Sequence, residues 1–173
     1  MHSSIDKLNF IKKEIDEALS NDYKNKIKPT IIAVCKKFKI TDILPLINNG
    51  HVHFGENKIQ EAVEKWTDVK KDFPNIHLHM IGKLQSNKVK FALKIFDYIH
   101  SLDSEKLAKK IADEQTRYDK KPKIFIQVNI GNEDQKSGIK KEELFDFYKF
   151  CKNLNLDIIG TMCIPPNNEN IES

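Results

Sequence analysis

Thr30-Ile31-Ile32-Ala33-Val34-Cys35-Lys36 is a compact apolar, β-branched run that ends on a lysine, and His51-Val52-His53-Phe54-Gly55-Glu56-Asn57 follows it after one helical stretch. The first run reads as a strand buried on both faces. Residues 41–49 carry helical spacing, with Thr41 in the N-cap position and Gly50 just past the end. Residues 51–54 read as a second strand that stops at Gly55. Strand, helix and strand in so short a span make one β/α unit. Such units in series imply a parallel sheet with right-handed crossovers.

The same alternation continues on both sides. Ile5, Leu8, Ile11, Ile15 and Leu19 recur at helical spacing, so residues 4–20 read as an amphipathic helix. Further strands are expected at 76–82, 98–102, 123–129 and 158–164. Further helices are expected at 56–66, 86–96, from Ser104 onward as an N-cap, and over 140–154. Composition shows no break, so residues 1–173 are expected to form one domain. Two α/β architectures fit: an open doubly wound sheet, or a (β/α) TIM-type barrel of six strands. The periodicity does not choose between them.

The chain has 173 residues, 39% hydrophobic and 31% charged, with a net charge of +4. That suits a globular domain, although a complete eight-stranded barrel typically takes about 250 residues. The lysines are scattered. The runs Lys36-Lys37-Phe38-Lys39 and Lys120-Lys121-Pro122-Lys123 read as solvated surface, and no nucleic-acid motif accompanies them. Cys35, Cys151 and Cys163 form no Cys-x-x-Cys pair, which argues against a disulfide framework or a cysteine zinc site. With no apolar signal core and no apolar run of about 20 residues, the expected location is the cytoplasm.

Several residues could carry chemistry. Lys36 ends the first strand, and in parallel α/β folds chemistry sits at the carboxyl ends of strands. Desolvation there would yield a neutral amine able to attack an aldehyde. The plain alternative is a lysine that snorkels out of a strand end. Asn57 offers an amide to a ligand, and Glu56 either orients a neighbour or serves the next helix. The turn Ile81-Gly82-Lys83-Leu84-Gln85-Ser86-Asn87-Lys88 enters a helix and suits an anion only weakly. His51 with His53, and His77 with His79, each share one strand face. They raise a metal site, but three of them fall away from the strand ends, so no metal is expected. Asp134 and Lys136 read as loop residues. No nucleophile elbow or dinucleotide fingerprint is present.

Taken together, Ala33-Val34-Cys35-Lys36, Phe54-Gly55-Glu56-Asn57 and His79-Met80-Ile81-Gly82-Lys83-Leu84-Gln85-Ser86-Asn87-Lys88 resemble the pyridoxal phosphate homeostasis proteins, the YggS/PROSC-like group. Gln127-Val128-Asn129, Lys136-Ser137-Gly138 and Gly160-Thr161-Met162-Cys163-Ile164-Pro165 extend the resemblance over nearly the whole chain. It implies a barrel of the alanine racemase N-terminal type. It implies pyridoxal 5′-phosphate held as a Schiff base on Lys36, with Asn57, His79 and Met162 close to the cofactor. It implies a role in vitamin B6 balance without established turnover, with apo enzymes of this cofactor as partners. A racemase-like enzyme and a fragment with impaired cofactor binding are the alternatives.

Members of the group continue through two further strand–helix units, which the resemblance assigns to the phosphate and the pyridine nitrogen. Cys35 stands where many have Ser or Thr, and Lys83 often corresponds to His. A six-stranded barrel leaves its first and last strands as edges. Members are typically monomeric, but open edges predict self-association of this form.

Overall fold

The computed structural model describes residues 3–21, 27–131 and 137–165. Helix α1 (Ser3–Asn21) leads into β1 (Ala33–Val34), α2 (Ile40–Asn48), β2 (His53–Glu56), α3 (Ile59–Trp66), α4 (Val69–Asp72) and β3 (His77–Met80). There follow α5 (Val89–Ile95), β4 (Tyr98–Leu102), α6 (Glu105–Tyr118), β5 (Lys123–Asn129), β6 (Ile139–Lys140), α7 (Leu144–Asn153) and β7 (Asp157–Met162). Every strand pairing is parallel, in the order β1-β2-β3-β4-β5-β7, and β6 joins the last two residues of β5.

This topology settles the choice the periodicity left open. Setting aside the two-residue β6, each strand lies beside the one before it, as in a (β/α) barrel, with no reversal of order of the kind that defines a doubly wound sheet. Among the described residues β1 and β7 do not pair, so the barrel is open between them. Val34 on β1 and Ile159 on β7 are accordingly exposed.

Alternate residues of each strand face opposite ways. Phe54, Leu78, Met80, Ile99, Ile124 and Ile126 are buried in the core beneath the helices. Phe54, for example, packs on Trp66 of α3 with ring centroids 5.0 Å apart. The other face, toward the barrel interior, carries His53, His79, His100 and Phe125, whose rings contact one another in series. The helices thus cover an apolar face, and the interior is polar and aromatic.

Some element ends differ from expectation for identifiable reasons. Helix α2 begins at Ile40, not after a Thr41 cap; the Asp42 carboxylate accepts from the Lys39 N–H at 3.2 Å. Strand β2 starts at His53, not His51. The His51 N–H still bonds Leu46 O as the chain leaves α2 through Gly50, whose φ of +82° suits glycine. Glu56 is therefore the last residue of β2, and α3 starts three residues later. Strand β1 is shorter than the apolar run suggested, because β2 is its one partner among the described residues. Ser104 does cap α6, its Oγ accepting from the Leu107 N–H. Asp134 and Lys136 lie outside the described residues.

Candidate functional site

The interior face sets three histidines on a diagonal. His53 opens β2 and pairs in register with His77, while His79 lies two residues further along β3. Tyr98 stands beside His79 in register, and His100 lies two residues beyond Tyr98 on β4. The imidazoles are joined in sequence. His53 Nδ1 and His79 Nε2 are hydrogen-bonded at 3.0 Å, and His79 Nδ1 and His100 Nε2 at 2.9 Å. His79 also stacks on Tyr98 with centroids 4.2 Å apart, and His100 stacks on Phe125 at 4.3 Å.

These rings are neutral. Burial, then the neighbouring His100 and His53, push His79 down to about 3. Burial alone pushes His100 down to about 4. His51 and His53 are lowered as well, again chiefly by burial. Asp97, immediately before β4, opposes the shift on His79, but it is itself engaged by Lys70 at 2.7 Å and by the Leu78 N–H at 2.8 Å. Since both ring nitrogens of His79 are engaged, Nε2 with His53 and Nδ1 with His100, they are not presented to a metal ion. Among the described residues no group of three or more His, Cys, Asp or Glu side chains gathers as a metal site.

At the carboxyl ends of the strands a second network fixes the approach to Lys36. The Cys35 N–H donates to Gly55 O at 2.8 Å, and Lys65 Nζ donates to Cys35 O at 3.0 Å. Lys65 in turn pairs with Glu56 at 2.8 Å, and the Trp66 indole N–H donates to the same carboxylate oxygen at 3.0 Å. Glu56 is fully buried, and its other oxygen has no hydrogen-bond partner among the described residues. Both backbone groups of Cys35, the residue that precedes Lys36, are thereby held. The Cys35 thiol is not a competing nucleophile: burial, then Glu56, push it up to about 12.

The four expected site residues divide into three and one. Val34, Gly55 and His79 are abreast in register. Lys36 and Asn57 follow two residues beyond Val34 and Gly55, just past the ends of β1 and β2, at the end of the sheet where His79 lies on the neighbouring β3. Asn57 is half-buried, and its backbone lies directly under the next turn: a Cβ on Gly82 would sit 2.2 Å from Asn57 O. Met162 ends β7, in register with Gln127 of β5, on the opposite edge of the opening. Gln127 donates from Nε2 to Ser137 O at 3.0 Å, which ties the 137–138 segment to the same end.

One expectation needs correction. Lys36 is not desolvated by the strand; it is exposed, in a turn after an edge strand whose outer side has no neighbouring strand among the described residues. Sequence reasoning also missed two contributors. The period-two placement of His53 and His79 was visible, but not that hydrogen bonds would join them to His100. Nothing in the sequence marked Lys65 as the lysine that reaches back to Cys35.

Residues 17–172 match the model of the alanine racemase N-terminal domain. The pyridoxal phosphate homeostasis protein of Haemophilus influenzae is 37% identical over 166 residues, covering 95% of this chain and 70% of that protein. The protein of the same name from Pasteurella multocida is 36% identical over 157 residues, covering 90% and 67% respectively. The structure of PipY from Synechococcus elongatus with PLP bound superposes with a TM-score of 0.75 at 31% identity, covering 91% of this chain and 72% of that one. No described helix is long and apolar enough to cross a membrane.

Proposed function

This chain belongs to the pyridoxal phosphate homeostasis protein family, built on the alanine racemase N-terminal domain, and we propose that it binds pyridoxal 5′-phosphate at the carboxyl end of its barrel strands, covalently on Lys36. The observation that carries this reading is the common position of Lys36 and Asn57, two residues beyond the level of the buried, neutral His79. Barrel chemistry belongs at that end of the strands. When bound, the cofactor supplies an electrophilic aldehyde. The Lys36 amine is the nucleophile that forms the Schiff base, and its exposure leaves it open to an incoming aldehyde. Asn57 supplies an amide to the ring substituents. His79 presents an uncharged ring, and Met162 borders the pocket from the far edge.

In this reading the protein is a reversible carrier rather than an enzyme, acting in the cytoplasm as a single domain over residues 1–173 and passing the cofactor to apo enzymes. The exposed edge residues Val34 and Ile159 favour self-association, since unpaired strand edges recruit partners; a monodisperse monomer by light scattering at rising concentration would refute that part.

The test of the main reading is direct. Purified protein is mixed with pyridoxal phosphate, its visible absorbance is followed, and the mixture is reduced with borohydride for peptide mass analysis. The expected result is a new band and a cofactor adduct on the Lys36 peptide, both missing from Lys36→Ala. Equal binding by the two proteins, or an adduct on another lysine, would overturn it.

A further inference from the structure

The three joined imidazoles have a consequence beyond cofactor binding. A neutral imidazole carries one ring proton, so it donates from one nitrogen and accepts at the other. His79 uses both nitrogens, Nε2 toward His53 and Nδ1 toward His100. If His79 donates to His53, it accepts from His100, and all three protons sit on Nε2. If it donates to His100, it accepts from His53, and all three sit on Nδ1. No mixed arrangement makes both bonds. The series therefore has two states, and passing from one to the other moves one proton across each link.

The ends of the series lie at different depths. His53 is the first residue of β2 and is half-buried, beside the exposed His77 ring with which it stacks at 4.9 Å. His79 is 3% and His100 8% exposed. Each link moves one strand across and two residues forward. At about 3.3 Å per residue that is roughly 6–7 Å of climb per link. His100 thus stands two residues beyond the level of His79, the same advance that separates Lys36 from Val34 and Asn57 from Gly55.

We propose that His53, His79 and His100 form a proton relay through the barrel interior, connecting solvent at the amino ends of the strands with the level of Lys36. A proton taken up on the outer nitrogen of His53 is matched by one released from the outer nitrogen of His100, and every ring switches tautomer. The reverse shift restores the first state and nothing is oxidised or reduced. The groups around the series do not short-circuit it. His51 spends its Nε2–H on His53 O at 2.8 Å, Tyr98 and Phe125 stack face-on, and Asp97 is held by Lys70. That the relay serves cofactor loading rests on the reading above, since forming an imine expels water and needs a proton delivered to the departing hydroxyl. The relay itself does not rest on it.

The experiment is long-range ¹H–¹⁵N correlation of the histidine rings in the full chain without cofactor at neutral pH. The expected result is one shared tautomer ratio at His53, His79 and His100, moving together with temperature. In His79→Phe the ratios at His53 and His100 should part. Unequal ratios in the unsubstituted protein overturn the proposal, and that reading stands even if the variant does not fold. So do ratios in His79→Phe that stay equal. A second arm follows cofactor uptake by stopped-flow absorbance in His53→Phe. The rate should fall by roughly ten-fold or more, within the range of general acid–base effects, with the final amplitude kept. An unchanged rate overturns the link to loading. No uptake by the unsubstituted protein overturns the cofactor reading, and the tautomer arm still decides the relay.

Discussion

Acidifying the protein from pH 7 to pH 5 should remove a large part of its folding stability, and the histidine series is the reason. In the fold His79 is pushed down to about 3 and His100 to about 4. In the unfolded chain both titrate near their ordinary value of about 6.5. The folded values lie below the unfolded ones, so the unfolded state binds protons first. The contribution is complete above pH 6.5 and is lost as the pH falls toward the folded values. At pH 5 the unfolded chain has gained nearly one proton at each site and the folded chain almost none. That costs about 2 kcal/mol per histidine, or about 4 kcal/mol for the pair taken as independent. Domains of this size have roughly 5–15 kcal/mol in all. With a urea slope of about 2 kcal/mol/M, the unfolding midpoint should drop by about 2 M between pH 7 and pH 5. His51 and His53 add to the effect with the same sign. The assay is urea unfolding by circular dichroism at pH 7, 6 and 5, beside His100→Phe, whose ring keeps the stack on Phe125. The variant should lose about half of the pH dependence. Equal midpoints at pH 5 and pH 7, or an undiminished pH dependence in His100→Phe, would refute the claim that these rings are buried and neutral.

Three further outcomes are expected. Lys65→Ala leaves the fully buried Glu56 carboxylate without its cation and should destabilise the protein by about 3–5 kcal/mol, measured by urea unfolding; a loss below about 1 kcal/mol would show that water already serves Glu56. Gly82→Ala places a methyl group 2.2 Å from Asn57 O, so the two turns must separate; stability should fall by roughly 2 kcal/mol or more and cofactor uptake should weaken with it, and an unperturbed variant would mean the turns do not touch. Native protein should react with a thiol reagent at Cys163 alone, which is exposed, while Cys35 and Cys151, pushed up to about 12 and about 11 by burial, should react only on unfolding; rapid labelling of Cys35 would count against its packed position.

The order of elements was legible because buried parallel strands and amphipathic helices differ in period and because each unit is local. Lys36 and Asn57 stood out at strand ends, but it was the resemblance to the pyridoxal phosphate homeostasis proteins that singled out Lys36, Asn57, His79 and Met162 together. The element ends were not legible. Whether β2 begins at His51 or His53 depends on how the chain leaves α2, where the His51 N–H still bonds Leu46 O. The exposure of Lys36 was also out of reach, because it follows from what lies beside β1 and not from the apolar run that precedes it.

The sequence by itself determined an alternating α/β chain, and through its motifs a resemblance that named Lys36, Asn57, His79 and Met162 as the expected site. Periodicity alone left a barrel and a doubly wound sheet both open; the family resemblance pointed to the barrel, and the tertiary structure showed the strand order and the opening between β1 and β7. Strand order is a relation between segments far apart in the chain, and periodicity within a segment carries no record of it. Only the tertiary structure joined His53, His79 and His100 as well. A single strand shows which residues share a face, but the register between strands sets which ring nitrogens meet, and that register is fixed when Phe54, Leu78 and Ile99 pack together on the helical side of the sheet.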